Sequence, residues 1–313
     1  MTPIREAFPQ KPRSPFLGIL ACSVCLAFIA GLFFFSVEDS AREPEPIVEA
    51  TTTPSDTNPS FAGISFEAKA VYVIDVRDDA VLYAKNSDIA LPLASVSKLL
   101  TALTVSKSLS ADTIVTITPE SLTTDGESGL LAYEEWNLSD LVGFMLITSS
   151  NDAATALKLA YEKETGGTFI AAMNTEAKTL GMTRSNFMNE TGLDIGEKPS
   201  NTGSARDAAI LLASALKELP EGLDATRHDS LTFTSRTGNT HTVKSTNVLA
   251  NTIPWAVGAK TGFTDSAGGN LAVSFDVTLG RPVVIVVLGS SREGRFSDME
   301  KLVTATLSFF EDF

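Results

Sequence analysis

Strand-forming sequence stands at the two ends of the larger part of this chain, and helix-forming sequence fills the middle. Residues 70–75 (AVYVID) and 80–84 (AVLYA) read as a hairpin around the polar turn Arg77-Asp78-Asp79. Residues 255–263, 270–278 and 282–289 read as three further strands, the last rich in Val and Ile, with Gly262, Gly268-Gly269 and Gly280 marking turns. Between them, Val96, Leu99, Leu100 and Leu103 recur at helical spacing just after Pro92, a residue tolerated ahead of a helix start. Residues 138–159 read as a helix, a break near Ser149 and a second helix; residues 170–180, 207–216 and 299–310 read as three more. Strands from both ends and helices between them predict an antiparallel sheet closed by the termini, with a helical insertion.

Upstream lies a different kind of sequence. Residues 16–37 (FLGILACSVCLAFIAGLFFFSV) carry no charge. As a helix they reach roughly 33 Å, enough for a bilayer core of about 30 Å. Arg5, Lys11 and Arg13 precede the run, and Glu38, Asp39 and Glu43 follow it. The side richer in Lys and Arg stays in the cytoplasm, which places the bulk of the chain outside. A cleaved signal has an apolar stretch of about 7–15 residues; this one is longer, so an uncleaved anchor is expected. Residues 38–62, rich in Glu, Pro, Thr and Ser, read as a flexible linker. The expected organisation is a cytoplasmic tail (1–15), a transmembrane anchor (16–37), the linker (38–62) and a catalytic domain (63–313).

Composition removes some functions. The formal net charge is -14, which argues against nucleic-acid binding, where Lys and Arg must displace counterions from phosphates. The two cysteines, Cys22 and Cys25, lie in the apolar run, and the two histidines are His228 and His241. That supply is too small for a structural zinc site, and no metal or cofactor is expected. The outer domain has no cysteine, so its stability rests on its core.

Three short motifs carry chemistry. Ser95-Val96-Ser97-Lys98 sits at a predicted helix start, where residues three apart share a face and the amides point at any oxyanion formed on the serine. Ser149-Ser150-Asn151 falls at the predicted helix break, and Lys260-Thr261-Gly262 on a predicted strand, where a glycine lets a substrate backbone approach. Each has a plain structural reading: Ser95 a helix cap, Ser149 and Asn151 a second cap, Lys260 an exposed edge-strand lysine. By chance S-x-x-K occurs about once or twice in a chain of this length, and K-T-G in roughly one chain in ten. Order, spacing and placement give the trio its force. To act as a base, Lys98 must be brought from a pKa near 10.4 to roughly 7, at about 4 kcal/mol. Burial and a second ammonium, for which Lys260 is the candidate, both push it that way.

With these residues in view, residues 70–313 resemble the low-molecular-mass penicillin-binding proteins that are serine-type D-alanyl-D-alanine carboxypeptidases. Leu82-Tyr83-Ala84-Lys85-Asn86, Ser150-Asn151-Asp152-Ala153-Ala154, Leu180-Gly181-Met182, Thr191-Gly192-Leu193, Ser204-Ala205-Arg206-Asp207, Thr246-Asn247 and Lys260-Thr261-Gly262-Phe263-Thr264-Asp265 all read like that family. The resemblance implies a mixed α/β fold: a five-stranded antiparallel sheet flanked by helices, with a helical subdomain. It implies that Ser95 attacks the carbonyl between two D-alanines of a peptidoglycan stem peptide, with Lys98 taking its proton and Ser149 relaying one to the leaving amine. It also implies that Asn151 holds the peptide and the lysine, that Lys260 and Thr261 bind the terminal carboxylate, and that the amides of Ser95 and Phe263 form an oxyanion hole. Gly262 lies between them, and Arg295 resembles a family arginine near that carboxylate. β-Lactams are implied as inhibitors that acylate Ser95. Glu190 departs from the pattern, standing where the family often has proline.

The motifs do not separate a carboxypeptidase from a D,D-endopeptidase cutting cross-links. A class A β-lactamase shares the trio but also needs a glutamate and an asparagine in a loop, and no convincing E-x-x-L-N is present. A penicillin-binding sensor without turnover predicts a damaged motif, and none is seen. A Ser-His-Asp hydrolase lacks support, because there is no G-x-S-x-G.

Overall fold

The computed structural model describes residues 59–126 and 128–311. The expected tail, the apolar run and residues 38–58 of the linker lie outside them. Packing begins ahead of residue 63: Phe61 is buried and stacks on Tyr83 with ring centroids 5.3 Å apart. Among the described residues no helix is long and apolar enough to cross a membrane.

In chain order, β1 (Ala70–Asp75) and β2 (Ala80–Lys85) form the expected hairpin. The short β3 (Leu91–Pro92) and a 3-10 turn (Ala94–Ser97) lead into α1 (Lys98–Ser108). Then come β4 (Ile114–Thr116), β5 (Glu135–Asn137), α2 (Leu138–Thr148), α3 (Asn151–Thr165), α4 (Phe169–Thr179), β6 (Thr202–Gly203), α5 (Ala205–Glu218) and α6 (Pro220–Asp224). The hairpin β7 (Ser230–Thr234) and β8 (Thr240–Lys244) precedes β9 (Ala256–Thr264), β10 (Gly268–Asp276), β11 (Pro282–Ser290) and α7 (Gly294–Glu311).

The main sheet has five strands in the order β2-β1-β11-β10-β9, antiparallel throughout. Both ends of the domain therefore build one sheet, as the sequence predicts. Side chains alternate across its faces. Tyr72, Ala272, Val284 and Val286 join the core made with α1, α2, α3 and α5, while Val71, Val73, Ile285, Val287 and Phe275 pack with Met299 and Leu302 of α7. Because β11 is covered on both sides, it reads as an unbroken Val/Ile run. β9 has a strand neighbour on one side only; elsewhere it packs against the 3-10 turn Ala94–Ser97, and its Ala259 amide donates to Thr226 Oγ1.

Asp298, at the start of α7, ties this sheet to the segment before β1. Its buried carboxylate accepts from the amides of Glu67 and Ala68 and from the hydroxyl of Ser290. Replacing it with Ala leaves those donors unmatched in the interior. The expected result is a loss of about 3 kcal/mol in urea unfolding; a loss under about 1 kcal/mol would mean that water reaches the site.

Candidate active site

Four elements converge at one end of β9. The nucleophile motif is delivered by a conformation the sequence reading lacks. Ser95 does not stand in the first turn of an α-helix but in the 3-10 turn Ala94–Ser97, with α1 starting at Lys98. Ala94 has φ 47°, a left-handed value uncommon for a residue with a Cβ. A 3-10 turn has three residues per turn, so positions i and i+3 eclipse. Lys98 Nζ accordingly lies 2.9 Å from Ser95 Oγ.

Lys98 is fully buried at the head of a helix whose Leu99, Leu100, Ala102 and Leu103 are also inaccessible. Its amine has two other close contacts: Asn151 Oδ1 at 2.7 Å and the carbonyl of Thr191 at 2.6 Å. A neutral amine has two N–H donors and one lone pair. The two acceptors take the two donors, which aims the lone pair at the Ser95 hydroxyl. Burial brings the Lys98 pKa down to about 7, against an opposing pull from Glu190.

The second motif lies at the predicted break. Ser149 caps α2 with a left-handed φ of 61°, and Ser150 caps α3, its side chain accepting from the Ala153 amide at 3.0 Å. The break turns Ser149 toward β9, where Lys260 Nζ donates to its hydroxyl at 2.8 Å. Asn151, on the first turn of α3, faces Lys98 with its oxygen and donates through its nitrogen to the carbonyl of Asp125.

On β9, Lys260 is 1% exposed, which excludes the plain reading as a surface lysine. Burial holds its pKa well below the ordinary value, and the nearby Lys98 and Arg295 charges lower it further. The Thr261 hydroxyl meets that of Thr246 at 2.6 Å. Gly262 is required by space: a Cβ there would come 2.9 Å from the Leu93 carbonyl oxygen and 3.2 Å from the Ser95 nitrogen. The Ser95 amide is thus set against β9. Arg295 donates to the Gly262 carbonyl at 2.7 Å, and the Arg292 guanidinium stacks 3.8 Å from the Phe263 ring centroid.

All nine residues named from the sequence fall in this region: Ser95, Lys98 and Asn151 in one hydrogen-bonded group, Ser149 with Lys260 in a second, and Thr261, Gly262, Phe263 and Arg295 along the strand edge. Three participants are outside the site residues expected from the sequence. Thr191, in a stretch read only as family-like, acts through a backbone carbonyl, which leaves no mark on residue identity. Thr246 lies in a stretch read only as family-like, and Arg292 is one more charge in an exposed turn.

The family model for D-alanyl-D-alanine carboxypeptidases matches residues 53–292. The chain belongs to that family. It is 31% identical over 273 residues to a D-alanyl-D-alanine endopeptidase of Escherichia coli, covering 83% of this chain and 82% of that protein. It is 32% identical over 263 residues to the D-alanyl-D-alanine carboxypeptidase DacC of the same species, covering 79% of this chain and 63% of that protein. Among solved structures, a penicillin-binding protein of Listeria monocytogenes in a cefotaxime-bound form aligns with a TM-score of 0.66 at 32% identity, covering 77% of this chain and 98% of that one. A D-alanyl-D-alanine carboxypeptidase of Mycobacterium tuberculosis aligns with a TM-score of 0.70 at 25% identity, covering 78% and 92%.

Proposed function

We propose that this chain is a serine D-Ala-D-Ala carboxypeptidase. It removes the terminal D-alanine of peptidoglycan stem pentapeptides, and it is held by its N-terminal apolar segment in the cytoplasmic membrane of a bacterium with the catalytic domain outside. The observation that carries the reading is the Lys98 amine, buried and 2.9 Å from Ser95 Oγ. Ser95 Oγ attacks the carbonyl carbon between the two D-alanines and passes its proton to Lys98. The oxyanion is received by the amides of Ser95 and Phe263. The C–N bond then breaks, and the leaving amine takes a proton through Ser149. Water hydrolyses the acyl-serine and frees the enzyme. Asn151 fixes the lysine and the stem peptide. The departing D-alanine carboxylate lies against Lys260, Thr261 and Arg295, and an anion there restores the Lys260 charge that burial suppresses. A β-lactam enters the same path and stops at the acyl stage.

The base requirement fixes a pH dependence. The folded pKa of Lys98 is depressed to about 7, so the amine is protonated below that value and free above it. Acylation of Ser95 by a penicillin is expected to rise about tenfold per pH unit on the acidic side and to level off above about 7. The check is the second-order acylation rate between pH 5 and 9; a rate flat across that range would remove Lys98 as the base.

A second reading, a D,D-endopeptidase acting on cross-linked dimers, is favoured by the E. coli relative of that name and by one from Pseudomonas aeruginosa at 30% identity over 275 residues. Both reactions cut the same bond type. Incubation with a stem pentapeptide and with a cross-linked dimer separates them. Release of D-alanine from the first with no cut in the second supports the carboxypeptidase, and the reverse result replaces it.

A further inference from the structure

The polar groups under Ser95 form two layers, one helical turn apart. Lys98 and Thr101 are three apart on α1, and Asn151 and Thr155 are four apart on α3, so each pair shares a helix face. The upper layer is Lys98, Asn151 and the Thr191 carbonyl. In the lower layer everything meets Glu190. Thr101 Oγ1 donates to its backbone carbonyl at 2.7 Å, and Thr155 Oγ1 donates to its Oε1 at 2.9 Å. The second carboxylate oxygen lies 3.6 Å from Lys158 Nζ, at the outer side of α3. Glu190 is buried, whereas the Lys158 side chain is 29% exposed. The helical pitch puts the layers about 5.4 Å apart.

We propose that Glu190 is a positioning residue that sets the working pH of the Ser95–Lys98 pair, its buried charge favouring the protonated lysine and Lys158 offsetting part of that charge. This rests on the serine-peptidase reading above. The other charged groups of this neighbourhood are Lys260 on β9, with Arg295 of α7 near it, Asp152 next to Asn151 on α3, and the exposed Asp125, whose carbonyl accepts from Asn151. Asp152 is engaged with the Ser128 hydroxyl. Glu190 is placed differently, because it lies in the segment whose next carbonyl, that of Thr191, holds the lysine itself. Its field acts on Lys98 against the effect of burial. The hydrogen bond from Thr155 and the contact with Lys158 hold the carboxylate in the lower layer, one helical turn below Lys98.

The signs follow from the base being the neutral amine. Removing the Glu190 charge lowers the lysine pKa, so acylation reaches its plateau at lower pH. Removing the Lys158 charge leaves Glu190 uncompensated and does the opposite. The test uses the full chain, as wild type, Glu190→Gln and Lys158→Gln, and a penicillin as probe. The Ser95 adduct is followed by intact mass from pH 5 to 9, and folding is checked by urea unfolding. Gln at 190 can still accept from Thr155. The half-point is expected to fall by about one pH unit in Glu190→Gln and to rise by roughly 0.3 to 0.5 in Lys158→Gln. A half-point unmoved in either folded variant, or moved in the same direction in both, overturns the proposal. If Glu190→Gln does not fold, Lys158→Gln decides alone. A wild-type protein that forms no adduct fails at the earlier reading and takes this inference with it.

Discussion

Replacing Ser95 with Ala is expected to abolish the penicillin adduct and to lower D-alanine release by at least about 10⁴-fold, while the protein stays folded. The fold survives because, among the described residues, the Ser95 hydroxyl has the Lys98 amine as its one hydrogen-bond partner, and alanine already occupies the position before it. The experiment also discriminates, because the site contains two Ser–Lys pairs. Ser149 lies 2.8 Å from Lys260, a contact as short as that of Ser95 with Lys98. Distance alone does not choose between them. Three observations favour Ser95. It is the second residue of a 3-10 turn that runs into α1, its amide faces β9, and its lysine has both donors engaged so that the lone pair is aimed. Lys260 donates to the Thr261 carbonyl as well as to Ser149 and lies beside the strand edge, which suits a carboxylate-binding cation. An adduct that persists in Ser95→Ala and maps to Ser149 would exchange the roles of the two pairs.

Much of this arrangement is legible in the sequence where one residue dictates local geometry. The break at Ser149 is an example: the apolar run of α2 ends at a Ser-Ser-Asn triplet rich in capping groups, and the structure ends α2 at Thr148 and starts α3 at Asn151. The strands β9, β10 and β11 fall within two residues of their expected limits because each is bounded by a turn residue. The five-strand order is different. Texture predicts that both ends share a sheet, but the pairing of β1 with β11 rests on register across most of the domain, and it was the family resemblance that implied the strand count. Helix α7 begins at Gly294, five residues ahead of the expected start, because Gly, Arg and Ser in its first turn obscure the apolar spacing that buried Phe296 begins with Met299 and Val303. That extension puts Arg295 on a rigid element within reach of β9. The hairpin β7–β8 is absent from the sequence reading. Each strand offers only two core-facing positions, Leu231 and Phe233, His241 and Val243, too few for a periodic signal. In the structure it closes over Trp136, and His241 Nε2 meets Glu134 Oε1 at 2.9 Å.

The least legible part of the site is the loop that carries Thr191, and its importance is exposed by Gly192. Gly192 has φ 81°, and a Cβ there would lie 2.0 Å from the Ala94 carbonyl oxygen and 2.4 Å from its carbon. Those atoms are backbone, so no rotamer change relieves the collision. They also belong to the peptide that positions Ser95. The loop is stiff on its other side, since Asn189 Oδ1 accepts from the amides of Gly192 at 2.7 Å and Thr191 at 3.2 Å. A methyl group at Gly192 must therefore push the Ala94–Ser95 peptide inward or push the Thr191 carbonyl off Lys98. Gly192→Ala is expected to cost at least about 3 kcal/mol in urea unfolding, combining left-handed strain with overpacking. In whatever fraction folds, acylation by penicillin is expected to fall by about 10²-fold or more, because displacements of about 1 Å at reacting groups cost that much. Gly196 in the same loop supplies the control: its φ is 62°, and nothing lies within 4 Å of a Cβ built on it. Gly196→Ala carries only the conformational strain of about 1–2 kcal/mol and leaves the acylation rate of the folded protein intact. If Gly192→Ala acylated at the wild-type rate, the loop would not be what holds the lysine against the serine, and the two-layer organisation beneath Ser95 would lose its upper anchor.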